Sequence, residues 1–184
     1  MKKLLLVMGD LATGKSTFAN ILSQRYKANV FYKDSIKEVL GDTIGFTNRE
    51  DNLNLSKATL ELMLFHFSET AKIGNNLILE SNFHIGDLER LHKIAEQHDY
   101  DVCTLVLRGD VEILHKRYLH RIYHENRHPV HLTTTLDVFE DFKGYAERSR
   151  KEEILGSKIV IDANDFSYQT NPVILNQIDQ FIKD

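Results

Sequence analysis

The residues with the clearest chemical potential lie near the start of the chain, where residues 9–16 read GDLATGKS. This octapeptide matches the pattern G-x-x-x-x-G-K-S/T, and it stands between an apolar run and a segment with helical spacing, as that motif requires. Its glycines allow the backbone to curl around a phosphate group, so that amide groups and the positive end of the next helix face the anion. The motif predicts a binding site for the phosphates of ATP or GTP.

Several residues of this motif have predicted roles. Lys15 is expected to contact the β- and γ-phosphates and to act in catalysis, and the Ser16 hydroxyl is the expected protein ligand to Mg²⁺. Thr17 is expected to help at the start of the helix, near the α-phosphate. The predicted nucleotide-binding residues are Gly9, Thr13, Gly14, Lys15, Ser16 and Thr17.

Two acidic residues follow apolar runs at points where a parallel sheet collects its working groups, just beyond the strand ends. Asp34 is a candidate general base for an acceptor hydroxyl, or alternatively a helix cap. The sequence S-x-x-E from Ser35 to Glu38 predicts that Ser35 caps that helix instead. Glu80 is expected to orient the Mg²⁺ hydration shell, or to bind substrate hydroxyls together with Asn82, and the alternative is a solvated loop acid.

A basic stripe is predicted on a helix formed by residues 111–124. Helical spacing places Arg117, Arg121 and His124 on one face of it. Such a stripe is either a binding surface for phosphate or a solvent-exposed face without function.

The segment beyond that helix has the character of a lid. Arg127 follows the helix, and Pro129 is expected to end it and to start a loop. A closing loop that carries arginines excludes water and neutralises charge on a transferred phosphoryl group. We therefore predict a lid over about residues 117–134, in which at least one of Arg117, Arg121 and Arg127 is catalytic.

Other charged segments are given simpler interpretations. His120, His124, His128 and His131 allow a zinc hypothesis because helical spacing can chelate metal, but no partner at ligand spacing completes the set. Residues 147–153 are predicted to form a solvated helix face with ion pairs between residues four apart.

The hydrophobic pattern indicates which elements position these residues. Strand-length apolar runs occur at residues 4–8, 30–32, 77–79, 102–107 and 159–161. Longer segments with helical spacing separate them, and residues 53–71 are apolar on more than one face, which predicts a buried helix or one that meets a mobile substrate-binding element. Continuous apolar strands are buried on both faces, so we predict an α/β fold, a three-layer α/β/α sandwich with a parallel sheet.

The composition limits the possible partners. The chain has 184 residues with 23 basic and 27 acidic side chains, so no global positive field attracts nucleic acid or an anionic membrane. The single cysteine, Cys103, lies in an apolar run, which is typical of a buried thiol in a reducing compartment. No apolar run approaches the about 20 residues that cross a bilayer. We expect one cytoplasmic domain, residues 1–184, without a membrane partner and with nucleic acid disfavoured.

In this order the motifs resemble those of P-loop kinases of the nucleoside-monophosphate-kinase-like fold. Within that group the chain looks most similar to zeta-toxin-like and chloramphenicol-phosphotransferase-like small-molecule kinases. The resemblance implies a five-stranded parallel sheet in the order 2-3-1-4-5, a reaction with ATP and Mg²⁺, Asp34 as the acceptor base and lid arginines on the phosphates. Such families often carry arginine after the aspartate of strand two, where this chain has Lys37. We therefore expect substrate contacts from Asp34, Lys37, Glu80 and Asn82.

Four other functions were compared with a small-molecule kinase. A GTPase is disfavoured because the N-K-x-D motif is absent. A polynucleotide 5′-kinase would need a basic groove with stacking aromatic residues. A kinase of amino-sugar nucleotides and a nucleotide-dependent binding protein without turnover both agree with the motifs. The expected activity is transfer of the γ-phosphoryl group of ATP to a hydroxyl of a small molecule.

Overall fold

The computed structural model describes residues 2–183, which form five strands and seven α-helices in alternation. The strands are β1 (Lys2–Gly9), β2 (Asn29–Tyr32), β3 (Leu77–Glu80), β4 (Tyr100–Arg108) and β5 (Ser157–Asp162). The helices are α1 (Lys15–Tyr26), α2 (Lys33–Ile44), α3 (Arg49–Ile73), α4 (Ile85–Gln97), α5 (Val111–His124), α6 (Phe139–Lys151) and α7 (Pro172–Lys183). Two short 3₁₀ turns cover Pro129–His131 and Ser167–Gln169. None of the helices in residues 2–183 is long and apolar enough to cross a lipid bilayer.

All strand pairs are parallel, and the sheet order is β2-β3-β1-β4-β5. The central strand β1 pairs with β3 on one side and β4 on the other, so that Leu5 lies opposite both Ile78 and Cys103. This arrangement confirms the predicted α/β fold with its sheet order. It also brings the carboxyl ends of β1, β2 and β3 to one edge of the sheet, where the site residues follow.

The core has two layers because alternate side chains of β1 point to opposite faces. Leu4 and Leu6 pack in a cluster with residues of α3 and α4, whereas Leu5 and Val7 pack with residues of α1 and α7. Cys103 is buried in the second cluster, and burial raises the pKa of its thiol to about 11. Apolar faces on both sides explain why the strand sequences are continuous apolar runs.

The long apolar segment at residues 53–71 lies within α3, as predicted for a buried helix. Asn48 caps this helix, since its side chain accepts a hydrogen bond from the Asp51 amide at 2.9 Å. Buried side chains such as Met63 and Phe67 face the sheet. Leu53 and Phe65 remain exposed on the other face, so the second apolar face is not fully covered.

The predicted helix cap at Ser35 is wrong. Strand β2 ends at Tyr32 and the chain turns directly into α2 at Lys33, so that Tyr32 occupies the cap position without a capping side chain. Asp34 consequently lies in the first turn of α2, where its carboxylate interacts favourably with the positive end of the helix.

Candidate active site

The loop between β1 and α1 is held in a curled form by its own backbone and by Tyr168. Gly9 has a φ of 134°, and a Cβ atom there would lie 2.0 Å from the carbonyl oxygen of Leu107, which excludes any side chain. Thr13 Oγ1 donates to the Asp10 carbonyl at 2.8 Å, and Tyr168 Oη donates to the Thr13 carbonyl at 2.7 Å. These contacts hold the loop in its curled form.

The start of α1 presents its backbone amides to the concave side of this loop. Gly14 precedes the helix in the left-handed conformation with a φ of 85°, and no side chain caps the first turn. Unpaired amides and the positive helix end together form an anion-binding site. Thr17 lies in the same turn and lines the adjoining cleft.

Lys15 is folded back onto the loop. Its Nζ atom donates to the carbonyl oxygens of Gly9 at 3.1 Å and Asp10 at 2.7 Å. Burial lowers the pKa of Lys15, while the negative charges of Glu80, Asp34 and Asp10 oppose that shift. The ammonium group therefore lies among carboxylates and carbonyls at the position where a phosphate chain would be cradled.

Ser16 and Glu80 bring two oxygen atoms together beside Lys15. Ser16 Oγ donates to Glu80 Oε2 at 3.1 Å, and the Glu80 side chain is buried. Burial raises the pKa of Glu80, although the charge of Lys15 acts in the opposite direction. Hydroxyl and carboxylate oxygens are ligands that Mg²⁺ prefers, usually one or two per site together with water and phosphate. The donors at this position fit a magnesium site.

A cleft of about 660 Å³ connects this loop with the basic helix α5. The carboxylate of Asp34 is exposed at its wall, and all three predicted arginines line it as well. The structure thus brings together the predicted loop residues, the acids Asp34 and Glu80, and the arginines of the lid. His124, predicted on the same helix face, does not line the cleft.

The three arginines have different surroundings within the cleft. The guanidinium group of Arg117 donates hydrogen bonds to the carbonyl of Ala163 at 2.8 Å and to the carbonyl of Asn164. It also lies 4.4 Å from the ring centre of Phe166. Such a stacked pair is suited to binding the aromatic base of a nucleotide. Phe166 and Tyr168 could not be identified from the sequence, because they lie after β5 in a segment without a motif.

Arg121 and Arg127 line a neighbouring cavity together with Ser16 and Asp34, and Arg117 does not line it. Burial lowers the pKa of Arg121, and the charge of Arg127 lowers it further. Arg127 Nε is buried and has no hydrogen-bond partner among the described residues. Buried polar groups are normally paired, so this nitrogen is an exception, and it belongs to a residue that lines the cleft.

The lid segment is fastened to α2 and α3 rather than free. His128 Nε2 hydrogen-bonds with Asp42 at 2.9 Å, and His131 Nε2 with Glu38 at 2.7 Å. These pairings use His128 and His131, and nowhere in residues 2–183 do three or more histidine, cysteine or acidic side chains form a cluster that could hold a metal ion.

Lys37 takes part in the same attachment. Its Nζ donates to Asn52 Oδ1 at 2.7 Å, and Asn52 Nδ2 donates to the carbonyl of Val130 at 2.7 Å. Lys37 and Asn52 are both buried. The ammonium group of Lys37 thus holds α2 to α3 beneath the lid, and its predicted contact with substrate stays a prediction.

Helix α6 contacts the P-loop directly, which corrects the prediction of a solvated face for residues 147–153. Arg150 forms an ion pair with the buried Asp10 at 2.6 Å, and Glu152 hydrogen-bonds with His84 at 2.8 Å. The charge pattern concealed these contacts because both partners are distant in sequence. The sequence contained one signal for the contact between Asp10 and a cation. A carboxylate inside a phosphate-binding loop needs a cationic partner, since a buried unpaired charge is costly.

Asn82, the remaining predicted substrate residue, lies at the boundary between the P-loop and α6. Its Oδ1 accepts a hydrogen bond from the Gly9 amide at 3.1 Å. It does not line the cleft that contains Asp34, but a second cavity on the other side of the loop. Asn82 therefore supports the loop and also faces a separate space.

The sheet order and the loop before α1 define an α/β protein of the P-loop NTPase fold. No protein-family model matches the sequence, and no curated protein matches it. Solved structures do. A provisionally assigned kinase from Chloroflexus aurantiacus has 24% identity and a TM-score of 0.82, covering 99% of this chain and 97% of that one. A sugar kinase from a Janibacter species has 17% identity and a TM-score of 0.63, covering 97% and 95%.

Shikimate kinase from Bacteroides thetaiotaomicron has the same fold over the full length of both chains, with 14% identity and a TM-score of 0.58. These structures match almost the whole of this chain, including the helices around the cleft. The resemblance to P-loop kinases is thus confirmed at the level of the fold.

Proposed function

We propose that this protein is a kinase that transfers the γ-phosphoryl group of ATP to a hydroxyl group of a small molecule. The observation that carries the proposal is that Lys15, Asp34 and Arg127 all line one cleft. A general base, a cation for the transferred group and a phosphate cradle are the parts that phosphoryl transfer requires. Solved structures of the same fold include sugar and shikimate kinases, which supports this choice.

In the proposed mechanism the loop amides and Lys15 bind the phosphates. Mg²⁺, when bound, offsets phosphate charge, and Ser16 and Glu80 are the residues that would hold it. Asp34 accepts the proton of the acceptor hydroxyl. At the same time the hydroxyl oxygen forms a bond to the γ-phosphorus, and the bond from that phosphorus to the β–γ bridging oxygen breaks. Arg121 and Arg127 neutralise the charge on the transferred phosphoryl group. Arg117 and Phe166 bind the adenine ring of ATP.

The lid in this proposal is shorter than the predicted residues 117–134. Arg117 and Arg121 lie in the regular helix α5, so the part that opens is the segment after His124, which ends near the 3₁₀ turn Pro129–His131. Opening would release the histidine contacts with α2 and expose the phosphate end of the cleft. The whole chain acts as one kinase unit, and a cytoplasmic location stays a prediction.

The experiment is a screen for ADP release by the purified protein with ATP and Mg²⁺. Candidate acceptors are nucleosides, sugars, sugar acids, amino-sugar nucleotides, aminoglycosides and phenicols. Lys15→Ala should abolish turnover, whereas Lys57→Ala, an exposed lysine on α3, should leave it unchanged. If ATP binds in a Lys15-dependent manner and no acceptor is turned over, the alternative of a nucleotide-dependent binding protein is favoured.

A further inference from the structure

A second cavity of about 360 Å³ lies on the other side of the P-loop. It has no lining residue in common with the nucleotide cleft, and it reaches the loop at Gly9 and Asp10. Its other walls come from the ends of β3 and β4, the start of α2 and one side of α6. We call it the acceptor cavity. Its polar lining includes Lys33, Asn82, Arg108, Tyr145 and Arg148.

The acceptor cavity lies close to the proposed base. Lys33, which lines it, directly precedes Asp34, which lines the nucleotide cleft. Burial raises the pKa of the Tyr145 phenol, the hydrogen bond from Asn82 lowers it, and the charges of Glu152, Asp34 and Asp10 raise it. The cavity therefore adjoins the P-loop, and Lys33 at the start of α2 lies next in sequence to the proposed general base, Asp34.

The cavity has an excess of positive charge once its internal pairs are removed. Of its acids, Asp10 is paired with Arg150, whereas Glu152 hydrogen-bonds with His84 and keeps its negative charge. Glu153 is exposed to solvent.

Three cations of the lining remain. Within residues 2–183, the side chains of Lys33, Arg108 and Arg148 form no ion pair. Three cations thus line the space against the two carboxylates of Glu152 and Glu153. A guanidinium group can bind a carboxylate or phosphate through two parallel hydrogen bonds, and an ammonium group adds a point charge.

The same cavity offers groups that bind hydroxyls. Asn82 uses Oδ1 to accept from the Gly9 amide, and its side chain also hydrogen-bonds with the Tyr145 phenol. The Tyr145 phenol lies beside it and both donates and accepts. Hydroxyl-binding groups stand near the loop, and the cations lie along α2, β4 and α6.

We propose that the acceptor cavity binds the phosphoryl acceptor, and that this acceptor is an anionic, hydroxylated small molecule whose carboxylate or phosphate is bound by Lys33 and Arg148. This inference rests on the proposed kinase function and narrows it. Cationic aminoglycosides and uncharged phenicols are disfavoured as acceptors, because neither provides a partner for the cations.

The test uses matched pairs that differ in one anionic group: gluconate and sorbitol, a hexose phosphate and its hexose, and an amino-sugar nucleotide and its amino sugar. Calorimetry measures their binding to the full chain saturated with Mg²⁺ and a non-hydrolysable ATP analogue. At least one acid should bind about 10-fold or more tightly than its uncharged partner, as expected for hydrogen bonds to a charged group. The pair that responds distinguishes carboxylate from phosphate.

Variants connect that preference to the cavity. Arg148→Gln and Lys33→Gln should each weaken binding of the preferred acid about 10-fold and leave its uncharged partner unchanged. Lys151→Gln is the matched control, since Lys151 is exposed on the same helix and lines none of the cavities described above. Circular dichroism of each variant checks that it is folded.

Three results would overturn the inference: equal binding of acid and uncharged partner in every pair, a preference that survives both substitutions, or no saturable binding by any acid. The proposed function is judged separately by ADP release. Turnover of an uncharged acceptor would leave the kinase proposal in place and refute the anionic acceptor. Binding of an acid without turnover would keep the anion-binding cavity and refute the kinase proposal.

Discussion

Arg150 on α6 forms a two-pronged ion pair with Asp10, the second residue of the P-loop. Its Nη2 lies 2.6 Å from Asp10 Oδ2, and its Nε lies 3.1 Å from the same oxygen. The Asp10 side chain is only 2% exposed. Without the arginine, a buried negative charge would lie inside a loop that binds an anion. The pair therefore keeps the loop competent for phosphate while fixing α6 against it.

Arg150→Ala should weaken ATP binding and lower the free energy of unfolding by about 3 kcal/mol, because it leaves the Asp10 carboxylate buried and unpaired. Adding Asp10→Asn to that variant should restore most of both losses by removing the charge. Calorimetric titration with ATP and urea unfolding measure the two quantities. Equal losses in the single and the double variant would show that Arg150 acts only through packing.

Arg127 and Arg117 should give different kinetic effects, although both line the nucleotide cleft. Arg127→Ala is expected to lower turnover about 10³-fold, as for an arginine that stabilises the transferred phosphoryl group. Arg117→Ala should mainly weaken ATP binding, by about 5-fold, because it loses a cation stacked near the base site beside Phe166. Steady-state kinetics with varied ATP separate the two, and the reverse assignment would contradict the proposed orientation of the nucleotide.

Glu80 should give the ligand-free protein a recognisable pH dependence. Burial raises its pKa above the ordinary value of 4.5, so the folded state binds more protons than the unfolded state between those two values. The free energy of unfolding should therefore fall as pH rises through that window. Glu80→Gln should remove this fall, whereas Glu89→Gln, an exposed acid on α4, should not.

Urea unfolding at pH values from about 4 to 8 measures the effect, and parallel curves for the wild type and Glu80→Gln would contradict it. Magnesium-dependent ATP binding should also depend on pH. Its affinity should decrease at acid pH, because protonated Glu80 no longer offers a carboxylate to Ser16 or to a metal ion.

Lys37→Met should reduce stability without changing the apparent affinity for the acceptor. The substitution removes the hydrogen bond to the buried Asn52 and leaves its amide oxygen unpaired, which typically costs about 1–3 kcal/mol. Thermal unfolding and the acceptor KM are the two measurements. A large rise in KM with unchanged stability would identify Lys37 as a substrate-binding residue.

Much of the fold could be predicted because its signals are local. Continuous apolar strands of the kind seen at residues 4–8 and 102–107 indicate a sheet covered on both faces, and the motif at residues 9–16 fixes the connection between β1 and α1. The start of α2 could not be located in the same way. A capping pattern at Ser35 is only a statistical preference, and the direct turn from β2 at Tyr32 overrode it.

The site was predictable where one residue type has one dominant use, and unpredictable where the use depends on a distant partner. Lys15 and Ser16 belong to the first kind, and the roles of Asp34 and Glu80 stay predictions. Lys37 and Arg150 belong to the second, because Asn52 and Asp10 determine their roles and lie far away in sequence. The acceptor cavity is of the second kind as well, since α2, β4 and α6 each provide one of its free cations.

The most direct test of the kinase proposal is to follow the γ-phosphate of radiolabelled ATP in reactions with the acceptor panel and a filtered pool of cellular small molecules. The wild type should transfer the label to a small molecule that is not a nucleoside triphosphate. Asp34→Asn should still bind ATP but transfer label about 10²–10⁴-fold more slowly, as expected when a general base is lost. Label that appears only as inorganic phosphate, or at the same rate in Asp34→Asn, would contradict the proposed function and its base.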